Sequence, residues 1–198
     1  MSNASSPAVP QRQPAYPIDP DIVHRWSPRS FLEKEVPDNV LMSVLEAARW
    51  APSAFNVQPW RFIVARTREE RETFLPFISE FNRIWCEKAP VLILVLSKTV
   101  WERGEVASHA FDTGSAWGYL ALEATKLGLV THPMAGFDHA QARETLGVPE
   151  EYAIQALVAL GYQGPKEALP EQLQAREVPS PRVPVGEIAF RGKFGHSL

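Results

Sequence analysis

The run Pro90-Val91-Leu92-Ile93-Leu94-Val95-Leu96 carries no polar side chain and no alternation. Successive side chains of a strand point to opposite faces, so a strand of this make-up must be covered on both sides. It is expected at the centre of a sheet. The longest apolar stretch, residues 89–96, is far short of the roughly 20 residues that a membrane-spanning helix needs. With 198 residues the chain suits one domain, whose core needs neither disulfide nor metal. Cys86, the only cysteine, allows no intramolecular disulfide and no thiolate cluster.

Charge narrows the partners. The 20 basic and 23 acidic residues leave a formal charge of −3, with no block of one sign. Nucleic acid and anionic membrane are therefore disfavoured as main partners. No basic segment followed by an apolar one opens the chain, so a cytoplasmic location is expected.

Around the central run the order of elements can be read in part. Residues 1–20 contain Pro7, Pro10, Pro14, Pro17 and Pro20 and read as a flexible tail, with Met1-Ser2-Asn3-Ala4 excluded from the fold as a cloning remnant. A short helix is expected around residues 22–24. A second spans 38–50, entered through Pro37, with Asp38 at the positive end of its dipole and Leu41, Val44, Leu45 and Ala48 as its buried stripe. Residues 62–65 form a strand and 68–78 a charged surface helix ended or kinked by Pro76. A long helix follows over 106–127 and stops at Gly128. Residues 129–134 read as an edge or site-facing strand because Pro133 cannot donate to a ladder. A short helix over 138–146 and an apolar strand over 153–162 complete the core, residues 21–163. Residues 164–198 form a polar, proline-containing arm with no core stripe until 183–190.

On the long helix Ala110, Gly114, Gly118 and Ala121 fall on one side. Each glycine costs roughly 1 kcal/mol relative to alanine. Close packing against a second helix, such as the same helix of another copy, is the expected compensation.

The junction between the second helix and the first strand, residues 47–65, reads AARWAPSAFNVQPWRFIVA. Pro52, Ser53, Asn56, Gln58 and Pro59 continue neither element and place hydroxyl and amide groups between Trp50, Phe55 and Trp60. A mostly apolar cleft with a few placed polar groups is the make-up of a small-molecule site.

APSAFNVQPW resembles the signature of the FMN-dependent nitroreductases, and RWSPRSF, DTGSAWGYLALEATKLGLVTHPMAGFD and SPRVPVGEI support the resemblance in the right order. Together they cover most of residues 25–190. The resemblance implies an α+β fold with a mixed β-sheet flanked by helices. It also implies an obligate homodimer whose C-terminal arms, residues 164–198, cross to the partner and add a strand. Two FMN sites would lie at the interface. Electrons would pass from NAD(P)H through FMN to a nitroaromatic, quinone or similar small acceptor by ping-pong kinetics, with no catalytic side chain required.

The same resemblance assigns site residues. Arg25, Trp26, Ser27 and Arg29 match a run that holds phosphate, ribityl and the N1/O2 edge of the ring, although Trp26 stands where arginine or histidine is usual and keeps its contact only through the main chain. Ser180 and Arg182 match a late pair over the phosphate, with one basic member instead of two. Guanidinium forks suit phosphate well. Pro52, Ser53, Ala54 and Asn56 match the loop that covers the flavin from the neighbouring subunit, and Asn82 a position near the pyrimidine edge. Met134, Ala135 and Gly136 match the segment along the ring. There the N–H of Ala135 or Gly136 meets N5, glycine admits a close approach, and Ala135 replaces a frequent acidic residue.

Taken without the resemblance, Ser53 and Asn56 cap and turn, Asn82 is a surface turn residue, and residues 134–136 are a strand end. His24, His109, His132, His139 and His196 lack metal-ligand spacing and read as structural or surface residues, and Trp85, Trp101 and Trp117 as core or interface. A specialised task (heterocycle oxidation, reductive dehalogenation, flavin breakdown) and flavin binding with little turnover are the rival functions. Asp112-Thr113-Gly114-Ser115 also spells the motif of dimeric aspartic peptidases, which needs a preceding strand and a second carboxylate.

Overall fold

A computed structural model describes residues 12–198. The first part of the expected tail, residues 1–11, lies outside the described residues. The apolar run becomes strand β2 (Val91–Lys98), buried from residue 91 to residue 97. Its odd residues Val91, Ile93 and Val95 join one core cluster with Val44 and Ala48 of helix α2 (Asp38–Arg49) and Leu120 and Ala124 of helix α5 (His109–Lys126). Its even residues Leu92, Leu94 and Leu96 meet Phe74, Phe77, Trp85 and Ala142 on the other face. Both faces are covered, which is why the sequence shows no alternation.

The opposite layer comprises α3 (Arg68–Phe74), a 3-10 turn (Leu75–Phe77), α4 (Glu80–Cys86) and α6 (His139–Leu146). Strands β1 (Trp60–Ala65), β5 (Val130–Met134) and β6 (Tyr152–Gly161) complete a sheet of order β1-β2-β6-β5. This is the α+β architecture expected, a sheet flanked by helices, but the mixed strand directions are absent. All three pairings are antiparallel, so within the described residues a parallel member is missing. Pro133 sits on the edge strand β5, where its missing N–H costs no ladder bond.

Several boundaries move for physical reasons. Residues 68–78 do not form one surface helix, because Pro76 closes α3 into the 3-10 turn and Phe74 and Phe77 turn into the core. Helix α5 starts only at His109, since β3 (Val100–Trp101) and β4 (Gly104–Glu105) form a small hairpin before it. Asn82 lies in α4, an element the sequence reading lacked. In the arm, Leu169 and Leu173 enter the chain's own core, whereas Val183, Val185 and Ile188 are exposed. The sequence reading lacked this first core contact, because α7 (Glu171–Gln174) is too short to show a periodic stripe. The start of the chain's ordered helices is α1 (Pro20–His24), as expected.

Gly114 and Gly118 on α5 face open space, with nothing within 4 Å of an added Cβ. No helix of the same chain takes up that space. The Asp112 motif sits inside α5 rather than after a strand, and its carboxylate is engaged by Ser108 and Ala54, so the peptidase reading is overturned. Among the described residues no helix is long and apolar enough to cross a membrane, and no cluster of metal-ligating side chains occurs. Burial pushes the Cys86 thiol up to about 12, which leaves it protonated and inert.

Candidate cofactor site

Helix α1 ends when the Arg25 N–H returns to the Asp21 carbonyl at 2.9 Å. Pro28 then holds the preceding residue extended, and residues 25–32 run out along the end of the core. They are fastened from several sides. The Leu32 N–H donates to the Tyr162 carbonyl (2.9 Å) and the Gly164 N–H to the Ser30 carbonyl (2.9 Å). The Ser30 hydroxyl donates to the Pro165 carbonyl at 2.6 Å. A Cβ on Gly164 would come within 2.7 Å of Ser30 Oγ and 3.1 Å of the Phe31 main chain, so only glycine fits that crossing.

Two side chains clamp the centre of this segment. Glu177, only 6% exposed, accepts the Arg29 N–H at 2.8 and 3.0 Å and the Ser30 N–H at 2.9 Å. His132 of β5 donates from Nδ1 to the Pro28 carbonyl at 3.0 Å, which fixes its tautomer, and packs on Trp85 with ring centroids 4.5 Å apart. Burial pushes the His132 imidazole down to about 4, and the charge of Arg29 acts in the same direction.

The segment and the late arm enclose a cleft of about 310 Å³ lined by Arg25, Trp26, Ser27, Arg29, His132, Arg176, Val178, Ser180 and Arg182. Thus Arg25, Trp26, Ser27, Arg29, Ser180 and Arg182, all expected, do come together from the two ends of the chain. None of the four guanidinium groups is ion-paired among the described residues. Burial, then Arg182 and Arg12, lowers the Arg25 pKa, and burial and Arg176 lower that of Arg29. Arg29 Nε is buried without an acceptor. Unpaired forks, two hydroxyls and an orphaned donor make a site built for a dianion.

Elsewhere the expected residues form two further groups. The Asn82 Nδ2 donates to the Gly136 carbonyl at 3.1 Å, and a Cβ on Gly136 would lie 2.6 Å from that nitrogen. Glycine at 136 is therefore required by Asn82 itself. Met134 is buried in the core, while Ala135 and Gly136 are exposed.

The loop of Pro52, Ser53, Ala54 and Asn56 lines no part of the arginine cleft in the same chain. It is nevertheless held in an unusual shape, with φ of 51° at Phe55, 55° at Asn56 and 50° at Gln58. Such left-handed residues cost on the order of 1 kcal/mol each outside glycine and persist where the surroundings hold them. Here Asp112, 3% exposed, accepts from the Ala54 N–H (3.1 Å) and the Ser108 hydroxyl (2.8 Å), and Ser53 Oγ accepts from the Gln58 N–H (3.0 Å).

Sequence reasoning missed His132, Arg176, Glu177 and Val178 at the cleft. Only their nearness to Ser180, for the last three, offered a signal.

The His132 environment makes a prediction. Its folded pKa lies below the ordinary value of about 6.5, so the unfolded chain binds more protons between the two values. Stability from this residue is complete above pH 6.5 and lost as pH falls toward 4, by about 3 kcal/mol in total. Urea melts at pH 7.5 and 4.5 should differ by that much less in His132→Asn, which keeps a donor near Nδ1 but does not titrate. Equal pH dependence in the two proteins would refute the assignment.

Known proteins share this fold. A solved structure described as an oxidoreductase containing FMN is 40% identical, with a TM-score of 0.89 and full coverage of both chains. A nitroreductase family protein from Clostridium difficile 630 is 26% identical with a TM-score of 0.68, covering 86% of this chain and 95% of that one. An NADH dehydrogenase of Thermus thermophilus is 32% identical over 171 residues, which is 70% of this chain and 82% of the relative. The sequence profile of the nitroreductase family matches residues 22–84 and 81–162, and with the fold and cleft above this places the chain in the nitroreductase family.

Proposed function

We propose that the protein is an FMN-dependent oxidoreductase that carries electrons from NAD(P)H to a nitroaromatic, quinone or similar small acceptor. One observation carries this reading: Arg25, Ser27, Arg29, Ser180 and Arg182, matched from sequence to flavin-binding positions, line one cleft in which none of the three guanidinium groups is ion-paired among the described residues. The donor set fits a phosphate dianion, and the 40% identical relative is described as containing FMN.

In this reading Arg25, Arg182, Ser27 and Ser180 hold the phosphate and Trp26 contributes its main chain. Arg29 supplies positive charge toward the N1/O2 edge. The Asn82 bond to Gly136 steadies residues 134–136, whose main chain lies along the ring. FMN, when bound, supplies the hydride and electron chemistry. The protein's part is to bind, orient and exclude water.

The active form is a homodimer. Pro52, Ser53, Ala54 and Asn56 cover the partner's cofactor, and the exchanged arm, residues 164–198, crosses beyond Arg182, the last arm residue lining this chain's own cleft. Three features support this: the open space beside Gly114 and Gly118, the exposed Phe111 (80%), Trp50 (69%) and Phe55 (81%), and the exposed Val183, Val185 and Ile188. Contiguous exposed apolar surface marks an interaction site. A reducing cytoplasm suits the single buried thiol of Cys86.

The test is a spectrum followed by turnover. Purified protein should be yellow, elute as a dimer, bleach anaerobically with NADH or NADPH, and recover its colour with a nitroaromatic or a quinone. Bound flavin that nicotinamide never reduces would reject the oxidoreductase assignment.

A further inference from the structure

Arg176 is an exposed residue with no ion pair among the described residues, yet it faces a defined site. Its guanidinium lines the arginine cleft and lies over the Phe81 ring, 5.8 Å from the centroid. Among the described residues it has no hydrogen-bond acceptor and no carboxylate partner. The neighbouring Glu177 forms no ion pair with it, its carboxylate being turned to the main-chain N–H groups of Arg29 and Ser30.

The direction of these two side chains is set by one short segment. Helix α7 is docked by the buried Leu173, and the chain leaves it at Arg176. Glu177 then turns beneath the 29–30 main chain while Arg176 turns to the cleft. Arg29, with its orphaned Nε, has its pKa lowered by the nearby charge of Arg176 after burial. Cations gathered at one cleft repel, and an anion bound in that cleft relieves the repulsion.

We propose that Arg176 is a further ligand of the phosphate monoester bound in this cleft, and that residues 171–177 are thereby part of the cofactor site. The inference rests on the FMN reading above. A planar fork propped on an aromatic face suits a phosphate better than a freely rotating ammonium does.

The experiment compares two flavins that differ only in the phosphate. Release from the loaded protein on dilution, followed by flavin fluorescence, gives Kd for FMN and, after loading with riboflavin instead, Kd for the phosphate-free ligand. Arg176→Ala should raise Kd for FMN about 10- to 100-fold and leave riboflavin within about two-fold. Arg176→Lys should fall between.

Equal weakening of both flavins would make Arg176 a structural residue and overturn the proposal, as would no change in either. If the unaltered protein binds no FMN, the parent reading fails, and that result is in hand before any variant is made.

Discussion

Replacing Glu177 with alanine is expected to destabilise the protein by about 3 to 5 kcal/mol, since two buried main-chain N–H donors lose their acceptor at roughly 1 to 3 kcal/mol each. Its carboxylate accepts both main-chain N–H groups of Arg29 and Ser30, in a position only 6% exposed. Alanine leaves those donors buried without acceptors, and each carries its own desolvation cost. For a chain of this length 1 kcal/mol corresponds to about 2 to 4 °C, so Tm should fall by roughly 6 to 20 °C. Glu177→Gln keeps one acceptor but turns an N–H toward an N–H donor, and should recover less than half of the loss. Glu171→Ala, on the exposed start of α7, is the control and should leave Tm unchanged. A melt of Glu177→Ala within 2 °C of the parent protein would refute the clamp.

The second large effect is on cofactor retention. Arg25→Ala or Arg182→Ala removes a charge-assisted contact of about 1.5 to 3 kcal/mol, which should weaken FMN binding by one to two orders of magnitude. The two guanidinium groups share one cleft, and the charge of Arg182 lowers the Arg25 pKa. They should therefore couple: the double variant loses less than the sum of the two single losses, since the second removal also relieves repulsion. Flavin occupancy after dialysis reads the effect directly. Unchanged occupancy in both single variants would remove these residues from the site. Strict additivity would show that they act on different groups.

Much of this was legible because the signals are local. The unalternating run at 90–96 announced a strand covered on both faces, and Pro133 announced an edge. Arg25, Ser27 and Arg29 sit close in sequence, as do Ser180 and Arg182, so each cluster could be seen before the fold joined them. What stayed hidden depends on single residues with distant partners. Glu177 meets Arg29 across 148 positions and His132 meets Pro28 across 104, and neither contact leaves a periodic trace. Leu169 and Leu173 are too few to make a stripe. Phe55 and Gln58 carry backbone angles that their side chains disfavour, and only the Asp112 and Ser53 bonds explain them. Gly136 was expected to let the backbone approach a cofactor, and within the chain the group that lies against it is Asn82.

The distance along the chain between Arg29 and Glu177 also orders events at the ribosome. Residues are polymerised at about 5 to 20 per second, so the 148 positions between them take on the order of ten seconds to appear. Until then the donors at 29 and 30 face solvent, and Arg176 and Arg182 do not yet exist. In the proposed reading a nascent chain therefore has no finished place for a phosphate until Arg182 has been made, and loading the prosthetic group waits at least for that point.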